Sequence, residues 1–517
     1  MGDRIMVRRD FLKKSLGAGT LGLAATGGAC AEENAAKGAM RAEQDGAHEV
    51  QGAPPILRSF TPEDHRRRLT AIRFCEQAVR KCMRRHLVTN YLPAQATYNL
   101  GEYPSRERWT PNDYDEQELD RLRDHGIQVI QVFDDWNNSL RLFGGDKYSP
   151  VNPEGFHRFV EMVHRRGMKL LPYVSTGFIQ RTDPDFRPEW AREGDFLVLG
   201  YWNMARCAPS SAGWRAYMLP KVLAVMDEYG ADGLYDDGGY LANQHHGRGA
   251  ATGDEVEAFG ETADHDGAFV DLLGLLYGEV KRRGGIFKLH VNGAEQPMSR
   301  GLRVYDYLWV GEGVGNLDAM RGTVRDYPPY VVPCPDMTFA KTGSFDEPYL
   351  HAIPYMQFPM LQAGRPFTGE RAMIPGVAYN PNPDDFWMRI CREAWKQYQD
   401  HPEGPHSYGA WDAIPGRSET RPAHGKWLKR YLPLAEDGTY AWLDVADSDL
   451  FQGPVPAGCV VSAFANREVY LVLANYGKEP VEFVTRDKYC STETTESAPQ
   501  DHWRLGERSL EIVRLQA

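Results

Sequence analysis

Two adjacent carboxylates, Asp236 and Asp237, sit in the stretch 230–240, GADGLYDDGGY. A helical run ends at Gly230, Asp232-Gly233 makes a turn, and Leu234 and Tyr235 are residues of strand type. The pair stands where that strand runs out, just before Gly238-Gly239 releases the chain. Adjacent residues on a strand point to opposite faces, so one Asp can face a site while the other supports it from behind. Carboxyl groups held in unlike surroundings can divide acid and base work between them. A lone Asp pair is also a common salt-bridged strand end, so the elements around it have to decide.

Those elements alternate. Apolar runs of strand type are expected at 87–98, 127–133, 168–174, 234–235, 286–291, 305–310 and 330–333, with an eighth within 353–361 or just before Phe367. Helices are expected at 62–83, 115–125, 152–166, 210–229, 264–283 and 384–399. The first would bury a stripe of Leu69, Ile72, Cys75, Val79 and Met83. Alternation of this kind predicts a parallel sheet, and eight strands predict a (β/α)8 TIM barrel over 56–405. From 409 to 517 the texture changes to short alternating runs (440–445, 459–464, 468–474, 481–484, 509–515) broken by Gly, Pro and Asn. That pattern predicts a C-terminal antiparallel β-sandwich domain.

In such a barrel the chemistry collects at the C-terminal ends of the strands. The residues due there are Asp134, Asp135 and Trp136 after the second strand and Tyr173 with Ser175 after the third. Tyr235, Asp236 and Asp237 follow the fourth, with Tyr240 beyond; Lys288, His290 and Asn292 surround the fifth. Trp309 and Glu312 close the sixth and Asp336 the seventh, while Trp202 and Arg206 lie on the approach to the fourth. Carboxylates interleaved with aromatic faces, and no phosphate-cradling glycine loop, are what a sugar site needs. Glu312 stands between glycines in WVGEGVG and is the expected second carboxylate, with Asp336 in reserve. Repulsion from Asp236 requires a cation or donors opposite Asp237, and Arg206 and Lys288 are the candidates.

With these residues in place, the chain resembles the (β/α)8 glycoside hydrolases whose nucleophile follows the fourth strand in a G-x-D-G-φ-φ-x-D pattern. The α-galactosidase-like families and several families of putative glycosyl hydrolases share that pattern. The match is Gly230, Asp232, Gly233, Leu234, Tyr235 and Asp237, preceded by a C-x-x-S … W-R-x-Y approach at Cys207, Ser210, Trp214, Arg215 and Tyr217. The resemblance covers about 87–369. It implies Asp237 as nucleophile and a carboxylate after the sixth strand, here Glu312, as acid/base. Asp236 stands where those families carry an apolar residue, which leaves the assignment open between the two Asp residues. It further implies a carbohydrate substrate and no cofactor. Two other readings stay open: a non-catalytic glycan-binding barrel, and a metal-dependent polysaccharide deacetylase suggested by Tyr235-Asp236-Asp237-Gly238. The second lacks the H-x-x-x-H pair, since His245, His246 and His265 have other spacings, and no metal site is expected.

At the N-terminus, Arg8-Arg9 before Asp10-Phe11-Leu12-Lys13, then a short apolar run at 16–25, matches a twin-arginine export signal. Ala29-Cys30-Ala31 offers cleavage after Ala31, giving a signal peptide at 1–31 and a small, charged tether at 32–55. The expected partner is the twin-arginine export machinery, and the expected location periplasmic or extracellular. Cys30 offers a second reading as a lipidated cysteine, against which Gly27 stands where Leu is usual. The net charge of −12, without a basic stripe, excludes nucleic acid as a partner. No run in the mature chain is apolar enough to span a bilayer. The eight cysteines have no zinc spacing and read mostly as small core residues.

Overall fold

The computed structural model describes residues 60–100, 109–133, 136–137, 148–181, 183–199, 202–237, 265–291, 304–310, 316–325, 327, 330–333, 344–365, 420–494 and 497–516; at 192–199, 202–203, 265–266, 291 and 323–324 it describes the backbone alone. The chain divides into two units, Met1–Arg66 and Arg67–Ala517. The first is described only at 60–66, where helix α1 (Pro62–Ala78) begins. Among the described residues, the second holds all the sheets.

Helix α1 stops at Ala78, and strand β1 (Val79–Leu87) follows. The expected helix over 62–83 therefore ends five residues early, and Leu69, assigned to its buried stripe, is exposed. The reason is long-range pairing. Strand β1 lies antiparallel to β13 (Tyr440–Ser448), and such ladders override local helix preference.

The barrel strands are β2 (Gln95–Asn99), β3 (Val129–Val132), β4 (Lys169–Val174), β8 (Gly233–Asp236), β9 (Ile286–Val291), β10 (Tyr307–Val310), β11 (Val331–Pro333) and β12 (Leu361–Gly364). They form one sheet in the order β11-β10-β9-β8-β4-β3-β2-β12, so the last strand in sequence pairs with the first and the sheet curls on itself. Helices α2 (Asp113–His125), α3 (Pro153–His164), α4 (Ala212–Tyr229), α5 (His265–Arg282), α6 (Leu317–Val324) and α7 (Glu347–Ala352) lie between successive strands. Local chemistry sets their ends. Asn112 and Asp115 form a capping box on α2, Asn152 caps α3 ahead of Pro153, and Ser211 caps α4. Gly230 ends α4 at φ 73°. A side chain at Gly233 could not exist, because its Cβ would meet Ile286 O at 1.9 Å where β8 and β9 begin.

Contacts between non-neighbouring strands show which side chains fill the barrel. Lys288 Nζ on β9 reaches Gln95 Oε1 on β2 at 2.8 Å, across the interior. Phe133, just past β3, meets Tyr235 on β8 and Trp309 on β10 with centroids 6.1 and 5.7 Å apart. Alternate residues face the helices, as Tyr98 does against Phe159 of α3.

Between β4 and α4 the chain makes a three-stranded antiparallel sheet of β5 (Phe178–Gln180), β6 (Ala191–Leu199) and β7 (Trp202–Cys207), in the order β5-β7-β6. After the barrel comes α8 (Arg421–Tyr431), then β13, β14 (Cys459–Ala465), β15 (Val469–Asn475), β16 (Val481–Ser491), β17 (Gln500–Leu505) and β18 (Ser509–Leu515). With β1 they make a seven-stranded antiparallel sheet, β1-β13-β14-β15-β18-β16-β17. Its strands alternate between two cores. Ala441, Leu443, Phe464, Tyr470, Val472, Ala474 and Ile512 join the barrel's core. Trp442, Val461, Ala463, Leu471 and Leu473 join a second one with Cys75, Phe483, Trp503 and Leu505, where β16 and β17 fold over. The chain is thus a (β/α)8 barrel followed by an antiparallel β-sandwich domain. The expected helix at 384–399 lies outside the described residues.

Candidate functional site

The C-terminal ends of β4, β8, β9 and β10 bring together Tyr173, Tyr235, Asp237, His290 and Trp309. Asp237 follows β8 with its backbone N–H on Val174 O, 2.9 Å away. Tyr173 OH donates to Asp237 Oδ2 at 3.0 Å, and His290 Nδ1 lies 2.8 Å from Oδ1. An ionised carboxylate only accepts, which puts the proton of that bond on Nδ1. Asp237 is partly open, its side chain 22% exposed, whereas the His290 side chain is 2% exposed. Tyr235 and Trp309 pack edge to face beneath them (5.3 Å), and Trp309 sits 4.7 Å from the His290 ring. Both are buried, so they floor the site and wedge the imidazole in place.

Asp236 points the other way. It is fully buried and accepts from Thr176 N at 3.0 Å and Thr176 Oγ1 at 2.9 Å. Burial pushes its carboxyl up to about 7, against the two Thr176 hydrogen bonds; the Asp237 charge adds to the rise and His290 opposes it. Asp236 thereby ties β8 to the turn after β4. The same turn is held by Trp214 Nε1 on Thr176 O, and Ser175 Oγ reaches Asp237 O at 3.1 Å. Trp136, expected among the aromatic faces of the site, is buried: it stacks on Phe156 of α3 and donates Nε1–H to Tyr173 O at 2.8 Å. It fixes the backbone that carries Tyr173.

Lys288 lies one layer below His290, fully buried, with Nζ 2.8 Å from Gln95 Oε1 and 2.8 Å from Met360 Sδ. Arg206 lies on β7, in register with Phe178. The described donors to Asp237 are Tyr173 and His290. The Trp202 side chain, Asp134, Asp135, Asn292, Glu312 and Asp336 lie outside the described residues. Glu312 falls between β10, which ends at Val310, and α6, which begins at Leu317.

Two other motif residues act through structure. Asp232 accepts from Leu170 N at 2.8 Å and pairs with His164 at 2.7 Å, joining the start of β8 to β4 and α3. Arg215 pairs with Asp271 of α5 at 2.6 Å and donates to Pro209 O and Ala268 O. Thr176, and Phe133 as part of the packing under the site, were not among the expected site residues. The Y-V-S-T run leading out of β4 is the one signal for Thr176.

No protein-family model matches the chain, and no curated protein does. Solved structures do. A MutB mutant from crystals soaked with trehalulose aligns at TM-score 0.50 and 12% identity, over 83% of this chain and 100% of that one. A mutant of the trehalulose synthase MutB in complex with Tris aligns equally, at TM-score 0.50 and 12% identity over the same shares. A GH36 α-galactosidase, AgaA from Geobacillus stearothermophilus, aligns at 0.47 and 10%, over 81% of this chain and 55% of that one. At such identities the likeness is one of fold.

Proposed function

We propose that the chain is an exported glycoside hydrolase whose centre is Asp237. The observation that carries this is the carboxylate itself: it is partly open at the C-terminal mouth of a (β/α)8 barrel, and Tyr173 and His290 aim its two oxygens. Two donors direct the carboxylate's oxygens, which suits it to stabilise or attack an electron-poor anomeric carbon. The burial of Asp236 and its two Thr176 hydrogen bonds support a positioning role for it, holding the β4 turn. The partner acid is Glu312, which protonates the leaving oxygen. The bare fold likeness to MutB and the resemblance to the α-galactosidase-like pattern point the same way. Export through the twin-arginine route rests on Arg8-Arg9.

The deciding test is digestion of a glycan panel by wild type and Asp237→Asn. Turnover by wild type and none by the variant, with binding retained, supports the reading. Binding without turnover in wild type makes the chain a glycan-binding barrel instead.

A further inference from the structure

On the barrel face opposite Asp237, the strand starts open into a cavity of about 1010 Å³. Lys169 and Ile286 at the starts of β4 and β9, with Tyr277 and Lys281 of α5, form one wall; Glu436 and Asp437, from the segment leading into the second sheet, form the other. The volume matches that of pockets taking small organic ligands, roughly 300–1,000 Å³.

Most of its charges are ion-paired. Lys281 Nζ lies 3.0 Å from Asp306, Lys169 Nζ 3.5 Å from Asp232, and Glu436 is 2.6 Å from Arg467 and 3.4 Å from Arg68. Asp437 accepts from Asn90 N at 2.7 Å. Paired charges give little net field to attract an ion. They remain directional hydrogen-bonding groups, and they are reachable: the Lys169, Lys281 and Glu436 side chains are 45%, 40% and 38% exposed. Tyr277, half-buried beside Lys281, adds an aromatic surface. Fixed polar groups whose charges are mostly paired, set beside an aromatic ring, suit a neutral polyhydroxylated molecule.

We propose that this cavity is a second, non-catalytic site for a neutral oligosaccharide. It takes its ligand class from the glycosidase reading and none of its residues from that site. The test uses full-length Asp237→Asn with maltohexaose, cellohexaose and xylohexaose, followed by hydrogen–deuterium exchange. Protection at 281–286 and 432–437 is the expected result. Protection confined to 173–177 and 233–237 overturns the second site while leaving the glycosidase reading intact. No protection with any of the three overturns the second site, and the turnover test above then judges the catalytic one separately. Tyr277→Ala and Lys281→Ala should each weaken the protecting hexaose about tenfold, with cleavage of a small aryl glycoside unchanged. Unaltered affinity in both variants, with melting temperatures as in the parent, also overturns it.

Discussion

His290 Nδ1 and Asp237 Oδ1 are 2.8 Å apart across the β8–β9 edge, with the imidazole wedged between Tyr235 and Trp309. The carboxylate's aim thus depends on a ring that cannot turn. His290→Ala should lower kcat on glycosides by about 10²-fold with little change in KM, the pattern of an interaction that matters most in the transition state. Tyr173→Phe, which removes the other donor and keeps the ring, should cost about tenfold. Steady-state kinetics on a cleaved substrate checks both, and unchanged kcat in His290→Ala would sink the role given to Asp237.

Glu312→Gln should be severe on substrates with poor leaving groups and milder on activated aryl glycosides, which need little protonation. An equal loss on both kinds of substrate removes Glu312 as the acid and makes Asp336 the next residue to replace.

Asp236 makes stability depend on pH. Its folded pKa of about 7 lies above the roughly 3.9 of an unfolded Asp, so between these values the folded state holds a proton that the unfolded state has lost. Wild-type stability should therefore fall as pH rises from about 4 to 7, by at most about 4 kcal/mol from this group. Asp236→Asn keeps a donor and an acceptor for Thr176 and removes the titration. Urea unfolding at pH 4.5 and 7.5 should show a smaller loss in the variant; equal losses would contradict the burial argument.

Arg430 of α8 is nearly buried, 2.5 Å from Glu511 and bonded to Thr492 Oγ1 and Ile512 O. Its guanidinium also lies over the Trp427 ring at 4.8 Å. Removing one partner of such a pair leaves a charge without its counterpart, so Arg430→Ala should cost about 3 kcal/mol. Denaturant midpoints measure this directly, and a loss below about 0.5 kcal/mol would show the pair to be no more than a surface contact.

Export has its own check. With Arg8 and Arg9 both changed to Lys, precursor should stay in the cytoplasm, as followed by fractionation and blotting. Unaltered delivery rules the twin-arginine route out.

The barrel was legible because its strands are apolar runs closed by polar residues: 168–174, 286–291 and 305–310 were read within two residues of β4, β9 and β10. What escaped depends on partners far away in sequence. VRKCMRRHL alternates as well as it spirals, and only Tyr440–Ser448 decides that it is a strand. Strand β17 carries three charged or imidazole side chains in QDHWRL and shows as a strand only beside β16. At the site, the D-D pair exposed two carboxylates but not their division of labour. Period-two alternation puts one of them on each face, and Thr176, marked in the sequence only by the Y-V-S-T run, receives the buried one. Tyr173, Tyr235 and Trp309 lie at barrel strand ends, yet Trp136 and Trp309 are buried, since the helices and the barrel interior claim large rings first.

Among the described residues, strand β1 finds its neighbour only in β13, more than three hundred and fifty residues later in the chain. During synthesis β1 emerges early, and its ladder partner does not exist until almost the whole barrel has left the ribosome. Until then one edge of β1 is an open template for any passing strand. Its five Lys, Arg and His side chains act as gatekeepers during that wait. The closing of this ladder also clasps the two ends of the barrel's chain together. Loss of the second sheet should therefore release the start of the barrel along with its end, and the two lobes should melt in a single transition.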